Sequence, residues 1–177
     1  MSNIEDSPTL LTRGVGHEHL TTLCYRIFQV RFVKESVIKA PPERVFGFHQ
    51  LPDAFERLIP PWERVKVVQK ADISVIGSRT ILETKILGPF KVRWVAEHTA
   101  YDPPAMFEDV QIKGPFRSWR HRHIVKPHPN GAVLRDEIDY ELPIPIFGPL
   151  AAPISVTPRL EKMFDYRHQV TKEWCEE

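Results

Sequence analysis

The sequence predicts a single α+β domain: a curved antiparallel sheet of about six to seven strands wrapped on a long C-terminal helix, with two short helices after the first strand. Three observations carry this. Segments dense in β-branched and aromatic residues follow one another from Tyr25 to Leu142, with connections too short for parallel crossovers. Most of the 17 prolines fall between those segments, where a missing N–H costs no ladder bond. After Thr157 the pattern changes to helical spacing.

The first strand runs over Tyr25–Ile38. Ala40-Pro41-Pro42-Glu43 then opens a short helix through Val45, Phe46, Phe48 and His49, because proline is tolerated in a first helical turn whose N–H groups have no partners. Asp53 is placed to cap a second helix over Ala54–Ile59, which Pro60-Pro61 stops. Strands follow over Arg64–Gln69, Arg79–Leu87, Phe90–His98, Met106–Lys113, Arg117–Val125 and Ala132–Leu142. A proline-rich bridge, Pro143–Pro153, leads to Thr157-Pro158, read as N-cap and first residue of the final helix. There Leu160, Met163, Phe164, Arg167 and Trp174 share a stripe. A sheet with one apolar face needs a cover, and this helix supplies it.

Length and composition set bounds. A chain of 177 residues suits one core, and 42% hydrophobic with 27% charged residues is ordinary globular composition. Residues 1–22 form a polar tail with little to order it, and residues 23–177 form the domain. A net charge of +1 disfavours nucleic acid, and no window has the length or apolarity for membrane insertion. Cys24 and Cys175 belong to no metal or redox motif and read as free thiols. The acidic N-terminus lacks a signal-peptide core, so the expected location is the cytoplasm.

The most informative stretch is Phe107–Leu142. A two-residue turn at Asn130-Gly131 would set Val125 against Asp136, His123 against Ile138, His121 against Tyr140 and Trp119 against Leu142. A Gly114-Pro115-Phe116 loop would set Gln111 against Trp119, Asp109 against His121 and Phe107 against His123. On the opposite face Arg122 then falls between Glu108 and Asp139, and Arg120 opposite Glu141. The inner face carries Phe107, Asp109, Gln111, Trp119, His121, His123, Asp136 and Tyr140. Burying so many polar groups unpaired would cost about 1–3 kcal/mol each. The set therefore forms either a satisfied hydrogen-bond network or the wall of a pocket.

The run Phe107-x-Asp109-x-Gln111-x-x-Gly114-Pro115-Phe116-x-x-Trp119-x-His121-x-His123, with Asp136-x-x-x-Tyr140-x-x-Pro143 and Met163-Phe164-x-Tyr166-Arg167, resembles the SRPBCC superfamily. That superfamily holds START lipid-transfer domains, the major birch-pollen allergen and cyclase/dehydrase-like proteins, and the likeness is strongest to a bacterial subgroup of the last kind. It covers roughly Val30–Val170. The resemblance implies a helix-grip, START-like fold around a deep cavity. It also suggests association with a separate NAD-dependent epimerase-like protein, since some members are fused to such a domain.

Three functions stay open. The first is binding of a hydrophobic small molecule (lipid-, polyketide- or aromatic-like), with Phe107, Asp109, Gln111, Trp119, His121, His123, Asp136, Tyr140, Phe164 and Arg167 as ligand-binding candidates. The second is a cyclase/dehydrase-type enzyme using His121, Asp109 and Tyr140 as acid–base groups. The third is a non-catalytic interaction module with a filled core. No catalytic residue is assigned. Two imidazoles and a carboxylate are also a donor set for zinc or non-haem iron, but neither a metal nor a cofactor is expected.

Overall fold

The computed structural model describes residues 29–85, 91–142 and 156–177. The tail of residues 1–22, Cys24 and the bridge Pro143–Pro153 lie outside the described residues. Strand β1 is Val30–Ile38, and helices α1 (Pro42–His49) and α2 (Ala54–Arg57) follow it. Next come β2 (Lys66–Gln69), β3 (Arg79–Thr84), β4 (Val92–Asp102), β5 (Met106–Lys113), β6 (Ser118–His128) and β7 (Gly131–Glu141). Helix α3, Thr157–Glu176, closes the order. The strands form one antiparallel sheet in the order β1-β7-β6-β5-β4-β3-β2, so the first strand returns beside the last and everything else is a meander. Bulges between β4 and β5, at Val95/Ala96 and His98/Ala100, locally bend the sheet.

Register corrects one expectation and bears out another. The β5–β6 pairing is as expected, with Phe107 opposite His123 and Asp109 opposite His121. In the β6–β7 hairpin the turn falls at Pro129-Asn130, because His128 pairs with Gly131. Its partners therefore shift by two positions: His123 faces Asp136, His121 faces Ile138 and Trp119 faces Tyr140. A two-residue shift preserves faces, so the division into inner and outer residues survives while the pairs change. The reason is Gly131, which has φ +129° and whose Cβ, if present, would lie 2.1 Å from the Ile38 carbonyl oxygen. Glycine is needed as the first paired residue of β7, not inside the turn.

The outer face carries ion pairs, re-matched by the shift. Arg31 grips Asp139 through both Nε (2.6 Å) and Nη2 (3.0 Å). Arg122 meets Glu137 at 2.6 Å, and Arg120 meets Glu108 at 2.5 Å. Glu141 pairs with Arg117 instead of Arg120. Of two cap expectations, one holds in position only and the other fails. Asp53 is the N-cap residue of α2. The Asp53 carboxylate turns to Arg57 Nε (2.8 Å) and makes no cap bond. Val156, not Thr157, is the N-cap of α3, and Thr157 Oγ1 lies 3.3 Å from the Tyr140 hydroxyl.

The core divides in two. One apolar cluster joins Ile38, Val45, Phe46, Phe48, Leu134 and Cys175 at the α1 end. The other joins Phe32, Trp119, Ile138, Tyr140, Leu160 and Phe164. Between them runs a polar belt. On β7 Asp136 separates Leu134 from Ile138, and on β6 His121 and His123 separate Trp119 from Val125. On α3 His168 falls between Phe164 and Cys175. Strand alternation and helical spacing bring these gaps to one level.

Candidate functional site

Asp136, 3% exposed, is the centre of the belt. An ionised carboxylate only accepts, so it fixes the donors around it. His121 Nε2–H donates to Oδ1 at 2.8 Å, and His168 Nε2–H donates to Oδ2 at 2.7 Å. His168 Nδ1 in turn accepts from the Ser36 hydroxyl at 2.9 Å. His123 Nδ1 also lies 2.7 Å from Oδ1, but off the line a hydrogen bond requires, so this is a charge contact only. Burial alone would raise the Asp136 pKa; the His123 charge and the bonds from its neighbours hold it well below the carboxylate range.

On the far side of the imidazoles stands Asp109. Its Oδ2 lies 3.6 Å from His121 Nδ1 and 3.8 Å from His123 Nε2, beyond hydrogen-bond reach. Burial works against its ionisation, yet His123 and His121 hold its pKa below the usual value. Burial, aided by the His123 charge, depresses the His121 pKa. His123 goes the other way: burial opposes its charge, but Asp136 and Asp109 outweigh burial and raise its pKa. Neighbouring His49 is pushed down to about 3 by burial and by His123, and its Nδ1–H is committed to the Val45 carbonyl at 3.1 Å.

The two imidazoles and Asp109 form part of the wall of a cavity of about 550 Å³ between the sheet and α3. Inward positions of β3 and β4 (Thr80, Leu82, Trp94 and Ala96) continue the wall, and Leu160 and Met163 of α3 close it. A filled core, the third of the readings open at sequence level, is therefore not what the fold contains. Trp94 Nε1 and His98 Nδ1 are buried and have no hydrogen-bond partner among the described residues.

Six of the ten sequence candidates line this cavity: Phe107, Asp109, Trp119, His121, His123 and Arg167. The other four stand behind the wall. Asp136 lies beneath the histidines, and Phe164 packs on Phe32 with ring centroids 5.5 Å apart. Tyr140 is fully buried against Thr157, which removes it as a cavity acid. Gln111 holds the β5–β6 turn: its Nε2 donates to the Phe116 carbonyl at 2.8 Å and its Oε1 accepts from the Phe116 amide at 3.3 Å. The amide folds over Gly114, where a Cβ would come within 2.2 Å of Oε1. Gln111→Ala is thus expected to lower stability by about 1–2 kcal/mol in urea unfolding; a change below about 0.5 kcal/mol would show the clamp to be idle. Arg167 reaches neither aspartate. Its Nε donates to the Leu58 carbonyl at 3.2 Å and its guanidinium lies over Phe164, while burial lowers its pKa.

Sequence reasoning missed His168 and the α2 end of the wall, and left the depth of His98 open. His168 was detectable: it sits four residues after Phe164, on the helix's inward stripe. His98 is inward by strand alternation with Trp94 and Ala96.

A curved antiparallel sheet gripping a long helix over a deep cavity with a polar floor defines a helix-grip ligand-cavity protein. The chain belongs to the family described as polyketide cyclase / dehydrase and lipid transport, which it matches over residues 38–159. This agrees with its SRPBCC resemblance. Among solved structures, it is similar to the di-domain aromatase/cyclase StfQ from the steffimycin biosynthetic pathway, at 15% identity and TM-score 0.69, over 88% of this chain and 54% of that one. It is also similar to the Zhui aromatase/cyclase of Streptomyces sp. R1128, at 13% identity and TM-score 0.64, over 84% of this chain and 94% of that one. A nucleoside-diphosphate sugar epimerase of Corynebacterium glutamicum matches at 24% identity and TM-score 0.61, over 80% of this chain and 28% of that one. At such identities the likenesses show the fold alone, so the expected epimerase-like partner gains no support. No curated protein matches the chain. No helix among the described residues is long and apolar enough to cross a membrane.

Proposed function

We propose that this protein binds a hydrophobic, oxygen-bearing small molecule of polyketide, lipid or aromatic type in the cavity between sheet and α3. The observation that carries the proposal is the cavity itself, about 550 Å³ with apolar walls and a floor of Asp109, His121 and His123. Such a volume suits a drug-sized ligand, and a few convergent polar groups in an apolar cavity orient what enters. The unpartnered Trp94 Nε1 and His98 Nδ1 support the reading, because a ligand oxygen beside them would meet an otherwise unmet demand.

The test uses a hydroxylated anthraquinone and 1-anilinonaphthalene-8-sulfonate as probes. The wild-type chain is expected to bind at least one of them at micromolar concentration. Ala96→Phe, which fills the wall, should weaken binding by about tenfold or more while circular dichroism stays native. Equal binding by wild type and Ala96→Phe would place the probe elsewhere and defeat the proposal.

A cyclase/dehydrase-type activity is a second reading, favoured by Asp109 lying 3.6 Å from His121 Nδ1 on the cavity floor. With Tyr140 removed, that pair alone would have to move protons. His121→Ala discriminates: a carrier loses affinity modestly, whereas an enzyme loses turnover by on the order of a hundredfold or more.

A further inference from the structure

We propose that Asp109 Oδ2, His121 Nδ1 and His123 Nε2 form a binding site for one divalent first-row cation, zinc or ferrous iron, open toward the cavity. One ligand atom from each of the three residues lies within 4.8 Å of the other two. Two of the separations are 3.6 and 3.8 Å, too long for hydrogen bonds. Ligands about 2.0–2.1 Å from a tetrahedral or octahedral metal stand roughly 3.0–3.4 Å apart. The two carboxylate–imidazole separations therefore need to close by only a few tenths of an ångström to hold a metal between them.

The surroundings supply what such a site requires. His121 donates its other nitrogen's proton to Asp136 at 2.8 Å, which leaves the Nδ1 lone pair facing Asp109. A carboxylate behind a ligating imidazole fixes tautomer and ring orientation and strengthens the ligand. Asp136 is itself tied to His168 at 2.7 Å, and His168 to Ser36 at 2.9 Å, so this support reaches through α3 to β1. For His123, Asp136 supplies the compensating charge at 2.7 Å. A divalent cation would balance the Asp109 and Asp136 carboxylates, in a place where unbalanced charge is costly. The donor set, two imidazoles and one carboxylate without thiolate, suits zinc and ferrous iron.

All three ligands come from neighbouring strands and belong to the cavity wall, so any remaining coordination position points into the cavity. An oxygen of the bound small molecule, carbonyl or phenolate, is the chemistry that would take it. The metal site stands whether or not the hydrophobic ligand of the preceding section is correct, because its test uses the metal alone.

The full chain, purified without a histidine tag and stripped with a chelator, is titrated with zinc and with cobalt(II) by calorimetry and absorption spectroscopy. The expected result is one equivalent bound, with a visible cobalt spectrum and a raised melting temperature. Asp109→Asn and His121→Gln/His123→Gln should each weaken binding by on the order of a hundredfold or more. No uptake by the folded wild-type chain overturns the proposal, as does uptake unchanged in Asp109→Asn, which would place the metal on other groups such as His17 and His19. If a variant fails to fold, imidazole nitrogen resonances of the wild type decide. Zinc must shift His121 Nδ1 and His123 Nε2 as direct ligands, and their failure to move overturns the assignment.

Discussion

Asp136→Ala is expected to lower the stability of the fold by about 3–5 kcal/mol, the cost of leaving buried polar partners without their counter-charge. The carboxylate accepts from His121 at 2.8 Å and from His168 at 2.7 Å, and neutralises His123 at 2.7 Å. The four side chains are between 3% and 12% exposed, so the partners of the lost acceptor stay largely shielded from bulk water. Asp136→Asn keeps the shape and part of the bonding, so its loss should be smaller. Urea unfolding of both variants checks this. An Asp136→Ala midpoint close to wild type would mean that the histidines find other partners and that the belt is not a structural unit.

Gly131→Ala is expected to cost on the order of 3 kcal/mol, from a strained backbone and a steric clash together. At φ +129° a residue with a Cβ is unfavourable in any surroundings, and here that Cβ would meet the Ile38 carbonyl at 2.1 Å and the Ala40 amide nitrogen at 2.8 Å. Those contacts are backbone atoms on the β1–α1 connection and cannot rotate away. Relief requires β1 to move from β7, which would also disturb Ser36 and, through it, His168. The expected signature is a reduced unfolding midpoint together with weaker binding of an anthraquinone probe. Wild-type stability in Gly131→Ala would contradict the close approach of β1 to this turn.

Much of the fold was legible because strand alternation is a local rule. Once Gly114-Pro115-Phe116 is read as a turn, Phe107 must oppose His123 and Asp109 must oppose His121, as they do. The second hairpin shows where that reasoning stops. Asn130-Gly131 is a strong local turn signal, yet the glycine serves a contact with Ile38, a strand distant in sequence. No local rule registers such a constraint, and the register moved by two. The alternation protected the faces from the error, so the same residues of β6 and β7 still share the inner face.

By itself the sequence determined an antiparallel α+β domain, a paired-charge outer face and an inner face bearing Phe107, Asp109, Trp119, His121 and His123. These follow from periodicity and short connections, which act over a few residues. Only the tertiary structure decided what lies in front of the wall and what lies behind it. Asp136 and Tyr140 share the inner face with the lining residues but are buried beneath it, Gln111 folds back on the β5–β6 turn, and Phe164 of α3 packs on Phe32 rather than facing the cavity. His168 joins the site only because α3 crosses the sheet at the level of Asp136. Depth and convergence depend on how separate elements pack. That is why the polar groups could be named from the chain, while the cavity and its Asp109–His121–His123 floor required the fold.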